Sequence, residues 1–364
     1  MSAHGPMPRS AWIFPTLAVL LFAGATALGV TFTPNAAGLA FAAALLVILF
    51  GTVFAAVHHA EVIAERIGEP YGTLLLTLAV TVIEVALIAT IMLGDKPVPT
   101  LARDTVFAVV MIVCNGLVGI CILAGGLRYR EQDVQVSGSN LYLSVLIVMA
   151  TITLIMPNYT LTTPGPVYSA VQLGFVSVVT LLLYGVFLYT QTIRHRDYFV
   201  GEAAIADGGG QTSDRMLGVS ILLLLVSLLA VVLLAKKFSL VVDFATARIG
   251  APPAFAGVLV ALLILLPESV AAIAAARNND LQKSINLALG SSVATIGLTI
   301  PAVATAAYAL DKQLVLGLNV QEMVLLVLTF VLSMLTFATG RTNILFGLVH
   351  LVVFAVFVFL VFVP

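Results

Sequence analysis

Glu84 lies near the middle of the apolar stretch "RIGEPYGTLLLTLAVTVIEVALIA", Arg66 to Ala89, and Glu268 follows a proline in "LLPESVAAIAA". No basic residue shares the apolar run of Glu84. An ionised carboxylate at the centre of a bilayer costs roughly 2.5–3.5 kcal/mol or more, so it needs a partner. A cation and protons, bound in turn, would serve. Thr81 stands three residues before Glu84, on the same helical face. Pro267 removes a backbone hydrogen bond and frees a carbonyl one turn earlier, near Leu263. Carboxylates, hydroxyls and freed carbonyls make a hard oxygen set, suited to Ca²⁺ or Na⁺ rather than to softer metals. Neighbouring apolar runs add Asn115 in "CNG" and Ser291 and Ser292 in "LGSS". The candidate cation ligands are therefore Glu84, Glu268, Asn115, Ser291, Ser292 and Thr81. For the amide and the two serines, hydrogen bonding between helices is an equally good use.

His58, His59, Glu61 and Glu65 form a second group, in "HHAEVIAE". The spacing lacks the second histidine of a zinc-protease HExxH motif. A solvated helix end is the simpler reading. The alternative is a proton relay, since histidine titrates near neutral pH. Asp243 aligns with Glu61 in the repeat described below and joins the relay candidates. His350 lies within the last apolar run and reads as a structural histidine. Cys114 and Cys121, seven residues apart, stand about 10 Å apart on a helix, too far for a disulfide, and read as buried thiols.

These residues must be held by membrane helices. The chain has 364 residues, 61% hydrophobic and 9% charged, against about 25% charged in soluble domains. Eleven apolar spans are expected, near 12–30, 36–60, 70–93, 105–126, 139–156, 167–192, 216–236, 251–276, 284–309, 320–339 and 342–362. Each is long enough to cross the hydrocarbon core as a helix. The first span shows no clear cleavage site and reads as a retained helix. "DKQLVLGLN" and "PNYTLTTPGP" read as turns. The longest polar connection, Arg194 to Asp214, carries the triple glycine Gly208–Gly210 and scattered Glu202 and Asp207. The net charge of −1 and the lack of a basic tract give no support for nucleic-acid binding.

Ten basic residues fall on the N-terminal tail and the turns after even-numbered spans, against six on the other side. That bias places the N-terminus in the cytoplasm and the C-terminus outside. A multi-pass protein of the cell inner membrane, embedded in the lipid bilayer, is expected.

A repeat is present. "EVIAERIGEPYG" from Glu61 resembles "DFATARIGAPPA" from Asp243. Glu84 comes eighteen residues after Arg66, and Glu268 twenty after Arg248. Each half then continues into a span rich in small residues. The fold expected is an all-α polytopic membrane protein of eleven transmembrane helices. One leading helix precedes two inverted five-helix repeats: residues 1–34 hold the tail and first helix, 35–193 the first repeat, 194–214 a cytoplasmic linker and 215–364 the second repeat. Inverted repeats that each carry an ionisable residue mark secondary transporters.

At "AEVIAERIGEPYGTLLLTLAVTVIEVALIA" and "LLPESVAAIAAARNNDLQKSINLALGSSVATIGLTIP" the sequence resembles the cation/proton exchangers of the calcium:cation antiporter superfamily, most of all the bacterial ChaA-type calcium/proton branch. The resemblance spans nearly the whole chain and implies an acid on the third and eighth helices. The wider family's Gly-Asn-x-x-Glu motif is matched here by Val80-Thr81-Val82-Ile83-Glu84 and Ile264-Leu265-Leu266-Pro267-Glu268, keeping only the glutamates. Its Gly-Ser-Ser-Val-Gln stretch becomes Gly290-Ser291-Ser292-Val293-Ala294.

The function expected is exchange of a cation, Ca²⁺ foremost, for protons by alternating access, with the two glutamates binding each in turn. Na⁺(K⁺)/H⁺ antiport on the same scaffold is the alternative. A channel fits less well, since the other spans show no repeated polar stripe. No nucleophile and base, nor a metal triad, points to an enzyme. No cofactor is expected beyond the transported Ca²⁺ (or Na⁺/K⁺) and H⁺.

Overall fold

The computed structural model describes residues 7–30, 32–68, 71–92, 98–199 and 214–363. Most of the 194–214 connection, with Glu202, Asp207 and Gly208–Gly210, lies outside them, as does Pro364. Among the described residues, eleven helical spans are long and apolar enough to cross a membrane. They are α1 (Arg9–Ala27), α2 (Ala36–Ile67), α3 (Tyr71–Met92), Leu101–Tyr129, Val136–Tyr159, Ala170–Arg194, α8 (Asp214–Ile249), α9 (Ala254–Arg277), Leu281–Ala309, α12 (Val320–Ala338) and α13 (Ile344–Phe362).

Two of these spans outrun the expected ends. The second and seventh reach Ile67 and Ile249, 32 and 36 residues in length. Both stop at the repeated "RIG" turn. Gly68 and Gly250 have φ of 76° and 65°, a left-handed conformation that favours glycine and ends a helix. Charges alone do not end a helix that extends beyond the hydrocarbon, so the polar "HHAEVIAER" segment continues α2.

Two further spans are helices interrupted by a π-helical turn. Leu101–Tyr129 comprises α4 (Leu101–Met111), a π turn (Ile112–Leu117) and α5 (Val118–Tyr129). Leu281–Ala309 comprises α10 (Leu281–Ala294), a π turn (Thr295–Thr299) and α11 (Ile300–Ala309). They are the spans that follow α3 and α9, so the irregularity recurs at matching places of the two repeats. The fifth and sixth spans open as α6 (Val136–Ala150) and α7 (Ala170–Tyr189), and each carries a π turn past its α-helix, Thr151–Ile155 and Thr190–Arg194.

The described residues form two compact units. One contains α1, α2, α3 and α8. Within it, Arg66 near the end of α2 pairs with Asp214 at the start of α8, at 2.9 Å. The equivalent helices α2 and α8 therefore run antiparallel, and their "RIG" turns lie at opposite ends. That is the inversion expected of the repeat.

The other unit contains the remaining spans. Turns after even-numbered spans gather at one end, here the even end. Strand β1 (Glu131–Asp133) pairs antiparallel with β2 (Arg341–Asn343), Gln132 opposite Thr342. These two short strands are the departure from an all-helical chain. Gln132 also donates to Ala276 O at 3.0 Å, and Gln282 accepts from the Gln135 amide at 2.8 Å.

The opposite, odd end is crossed by "DKQLVLGLN", an extended strap rather than a simple turn. Val315 N donates to Pro99 O at 3.1 Å, Gly317 N to Pro166 O at 3.0 Å and Leu318 N to Leu154 O at 2.8 Å. Leu314, Leu316 and Leu318 alternate inward and are buried. The period of two is that of an extended chain.

Candidate functional site

In the four-helix unit, Glu84 sits mid-way along α3 and is 1% exposed. Ile83, Leu87 and Ile88 beside it in sequence are buried as well. The helix is continuous through the glutamate. Thr81, also buried, donates its hydroxyl proton to Thr77 O at 2.9 Å. Its oxygen lone pairs remain available to a cation, because a hydroxyl has one proton and two acceptor sites.

The histidine group lies near the end of α2. His59 is fully buried and its Nε2 donates to Ala11 O at 2.9 Å. A carbonyl only accepts, so this contact assigns the proton to Nε2. The His58 ring is half-buried, 5.6 Å from that of His59, and Glu61 and Glu65 are exposed. Asp243 is exposed near the far end of α8. It lies 29 residues beyond Asp214, about 43 Å along a helix, and Asp214 is the residue that meets Arg66 beside the histidine group. The fold thus gathers His58, His59, Glu61 and Glu65 and leaves Asp243 at the opposite end.

In the larger unit, Glu268 is half-buried on α9, which runs unbroken through Pro267. A tight turn at residues 278–280 joins α9 to α10, with Asp280 capping the Lys283 amide at 3.0 Å. Glu268 lies nine residues before Arg277; Ser291 and Ser292 lie ten and eleven after Leu281. The antiparallel pair thereby brings the carboxylate and both serines to the same depth. Ser292 is fully buried, and its hydroxyl has no hydrogen-bond partner among the described residues. A buried hydroxyl of this kind is suited to meet a ligand oxygen or cation.

Asn115 is placed differently. It sits in the π turn, fully buried, and donates to Thr329 Oγ1 at 2.8 Å. Its amide oxygen faces His350 Nδ1 at 3.2 Å, and His350 Nε2 contacts Thr336 Oγ1 at 2.9 Å. Thr329 passes its own proton to Leu325 O at 2.7 Å, so it accepts from Asn115. Asn115 therefore ties the fourth span to α12 and α13, and His350 is a bonded structural partner in that network. Cys114 and Cys121 are buried free thiols.

One buried acid lies just outside the expected span 105–126. Asp104 is 5% exposed, because α4 begins at Leu101 rather than at 105. Arg103 donates to it at 2.7 and 2.8 Å.

The sodium/calcium exchanger protein family model matches residues 36–193 and 219–363. The chain is 43% identical over 366 residues to the "Putative ionic transporter y4hA" of Sinorhizobium fredii, covering 100% of this chain and 98% of that one. It is 38% identical over 322 residues to the "Sodium-potassium/proton antiporter ChaA" of Escherichia coli, covering 87% of each. In fold it is similar to the solved structure of YfkE, a Ca²⁺/H⁺ antiporter, with a TM-score of 0.73 at 17% identity, covering 97% of this chain and 100% of that one. Two inverted repeats with a mid-span acid in each, and a family match across both halves, give one conclusion: the chain belongs to the sodium/calcium exchanger family and is a multi-pass membrane antiporter of inorganic cations.

Proposed function

We propose that the protein exchanges Ca²⁺ for protons, with Glu84 and Glu268 binding the cation and the protons in turn. The observation that carries this reading is one mid-span glutamate in each inverted repeat, each on the helix after a left-handed "RIG" turn. Two carboxylates match the charge of one divalent cation or of two protons. The empty, doubly charged site would be too costly to carry between access states, so cation entry and proton exit are linked. Two charges moving each way cancel the membrane potential, worth about 2.3 kcal/mol per charge per 100 mV, and leave the pH gradient to drive transport. Thr81, Ser291 and Ser292 supply hydroxyl oxygens, while the Asn115 amide is committed to Thr329 and His350 and holds its span in place. Access alternates as one group of helices rocks against the rest. His58, His59, Glu61 and Glu65 relay protons at the end of α2. The basic-residue bias supports an inner-membrane protein with a cytoplasmic N-terminus.

A second reading has its own support. The relative at 38% identity is named for sodium and potassium, and the chain lacks the family's Gly-Asn and Gln positions, which leaves fewer side-chain oxygens for Ca²⁺. Everted vesicles energised with a proton gradient and challenged separately with Ca²⁺, Na⁺ and K⁺ decide between them. Ca²⁺-evoked collapse of the gradient supports the first reading. Collapse by Na⁺ or K⁺ alone replaces it with the second.

A further inference from the structure

We propose that Asp104, gripped by Arg103, is a positioning residue for exchange: it fixes the helix that carries Glu268. The inference rests on the reading of Glu268 as a cation-binding residue. Both carboxylate oxygens of Asp104 are used. Oδ1 accepts from Arg103 Nε at 2.8 Å and from Nη2 at 2.7 Å, and Oδ2 accepts from Thr100 Oγ1 at 2.8 Å. Arg103 reaches on with Nη1 to Gly317 O, in the leucine strap, at 3.1 Å. One side chain thus joins the start of α4 to the strap that crosses the odd end.

The helix of Glu268 starts at the same place. A Cβ on Gly257 would lie 2.8 Å from Asp104 C and Thr105 N, and 2.9 Å from Asp104 Cβ. Real Cβ atoms do not come so close, so the first turn of α9 touches the backbone of α4 and only glycine fits. From Gly257 to Glu268 is eleven residues, about 16 Å of continuous helix. A shift at Gly257 is carried along that rod to the carboxylate.

Charge explains why the grip depends on Asp104. Arg103 and Glu322 both line a cavity of about 140 Å³ at the same end. If Asp104 loses its charge, Glu322, whose Oε2 also accepts from the Asn319 amide at 3.0 Å, is the acid left at this cavity. Arg103, itself on α4, then swings toward it and gives up Gly317 O, which frees the start of α4 from the strap. Outer partners that orient a metal ligand commonly change affinity about 10–100-fold when removed.

The test uses the full chain reconstituted in liposomes, with uptake measured against cation concentration for wild type, Asp104→Asn, Gly257→Ala and Glu268→Gln. Gly257→Ala alters no charge and opens the same contact sterically, so it stands as an independent arm if Asp104→Asn assembles poorly. Both should raise the cation KM about 10–100-fold and leave the maximal rate within about threefold. A purely structural role would instead lower the amount of active protein, and hence the maximal rate, at unchanged KM. That result, or KM values within about twofold of wild type, overturns the inference. If Glu268→Gln is inactive while the other two keep a normal KM, only this inference falls. If Glu268→Gln still exchanges, the reading of Glu268 falls first.

Discussion

The two repeats share a backbone plan and differ in what surrounds each acid. Each runs from a left-handed glycine turn into a glutamate helix and then into a span with a π turn. Glu84 is fully buried on a helix without proline; Glu268 is half-buried, directly after Pro267. The π turn of the first repeat holds Asn115, bonded to Thr329 and facing His350. The span of the second repeat holds Ser292, buried with an unbonded hydroxyl. The two halves keep the positions of the charge and of one mid-span π turn, in the spans after α3 and α9. The polar groups around these positions diverge: Asn115 is bonded into a structural knot, while the Ser292 hydroxyl has no hydrogen-bond partner among the described residues.

The severest challenge to this comparison is to neutralise each acid. Glu84→Gln and Glu268→Gln should each abolish exchange in protein that still reconstitutes as a monodisperse species. The amide keeps the shape of the protonated acid and removes its ability to bind either cargo. If one variant transports at a near wild-type rate, the repeats are functionally unequal and that carboxylate is structural.

Proton competition ranks next. On the proposal that cation and protons bind the two glutamates in turn, apparent cation affinity should fall as pH drops through the apparent pKa of the acids, by about tenfold per pH unit for each proton displaced. Saturating cation should then restore the full rate. Uptake against cation concentration at several pH values checks this. A maximal-rate effect that persists in His58→Ala and His59→Ala would count against both the shared site and those histidines as sensors.

The two ends of the larger unit differ as the repeats do. The even end is closed by the exposed β1–β2 pair, where Arg341 meets Asp133 at 3.1 Å with side chains 69% and 84% exposed. The odd end is closed by buried leucines. Leu316→Ala should destabilise by about 2–5 kcal/mol, whereas Arg341→Ala should stay within about 1 kcal/mol. Thermal unfolding in detergent measures both. Equal losses would mean that the strap is not the tighter closure.

How far could these features be read from the chain? The spans were legible because some twenty apolar residues have few other uses, and the acids because they interrupt such runs. The ends of α2 and α8 were not, since a helix that leaves the hydrocarbon needs a glycine, not merely a charge, to stop. Asp104 stood one residue outside the expected 105–126 span, whose helix begins at Leu101. Asn115 and His350 are 235 residues apart, and only the folded chain brings them together. The strap left a period-two trace, "LVLGL", too short to stand out from a turn.

The finest distinction is between the knot and the open hydroxyl. Asn115→Ala strips Thr329 and His350 of a buried partner. Interhelical hydrogen bonds within membranes are worth about 0.6 kcal/mol on average and up to about 1.7, so a loss of about 1–2 kcal/mol is expected. Ser292→Ala breaks no protein hydrogen bond and removes a buried polar atom, so stability should change by no more than about 0.5 kcal/mol. Its effect should appear instead in the cation KM, because an oxygen is withdrawn from the depth of Glu268. Measured together, the two variants separate fold from function: Asn115→Ala should lower Tm, and Ser292→Ala should weaken cation affinity at constant Tm. A Ser292→Ala protein with normal KM would remove that serine from the site and leave Glu268 to bind without it.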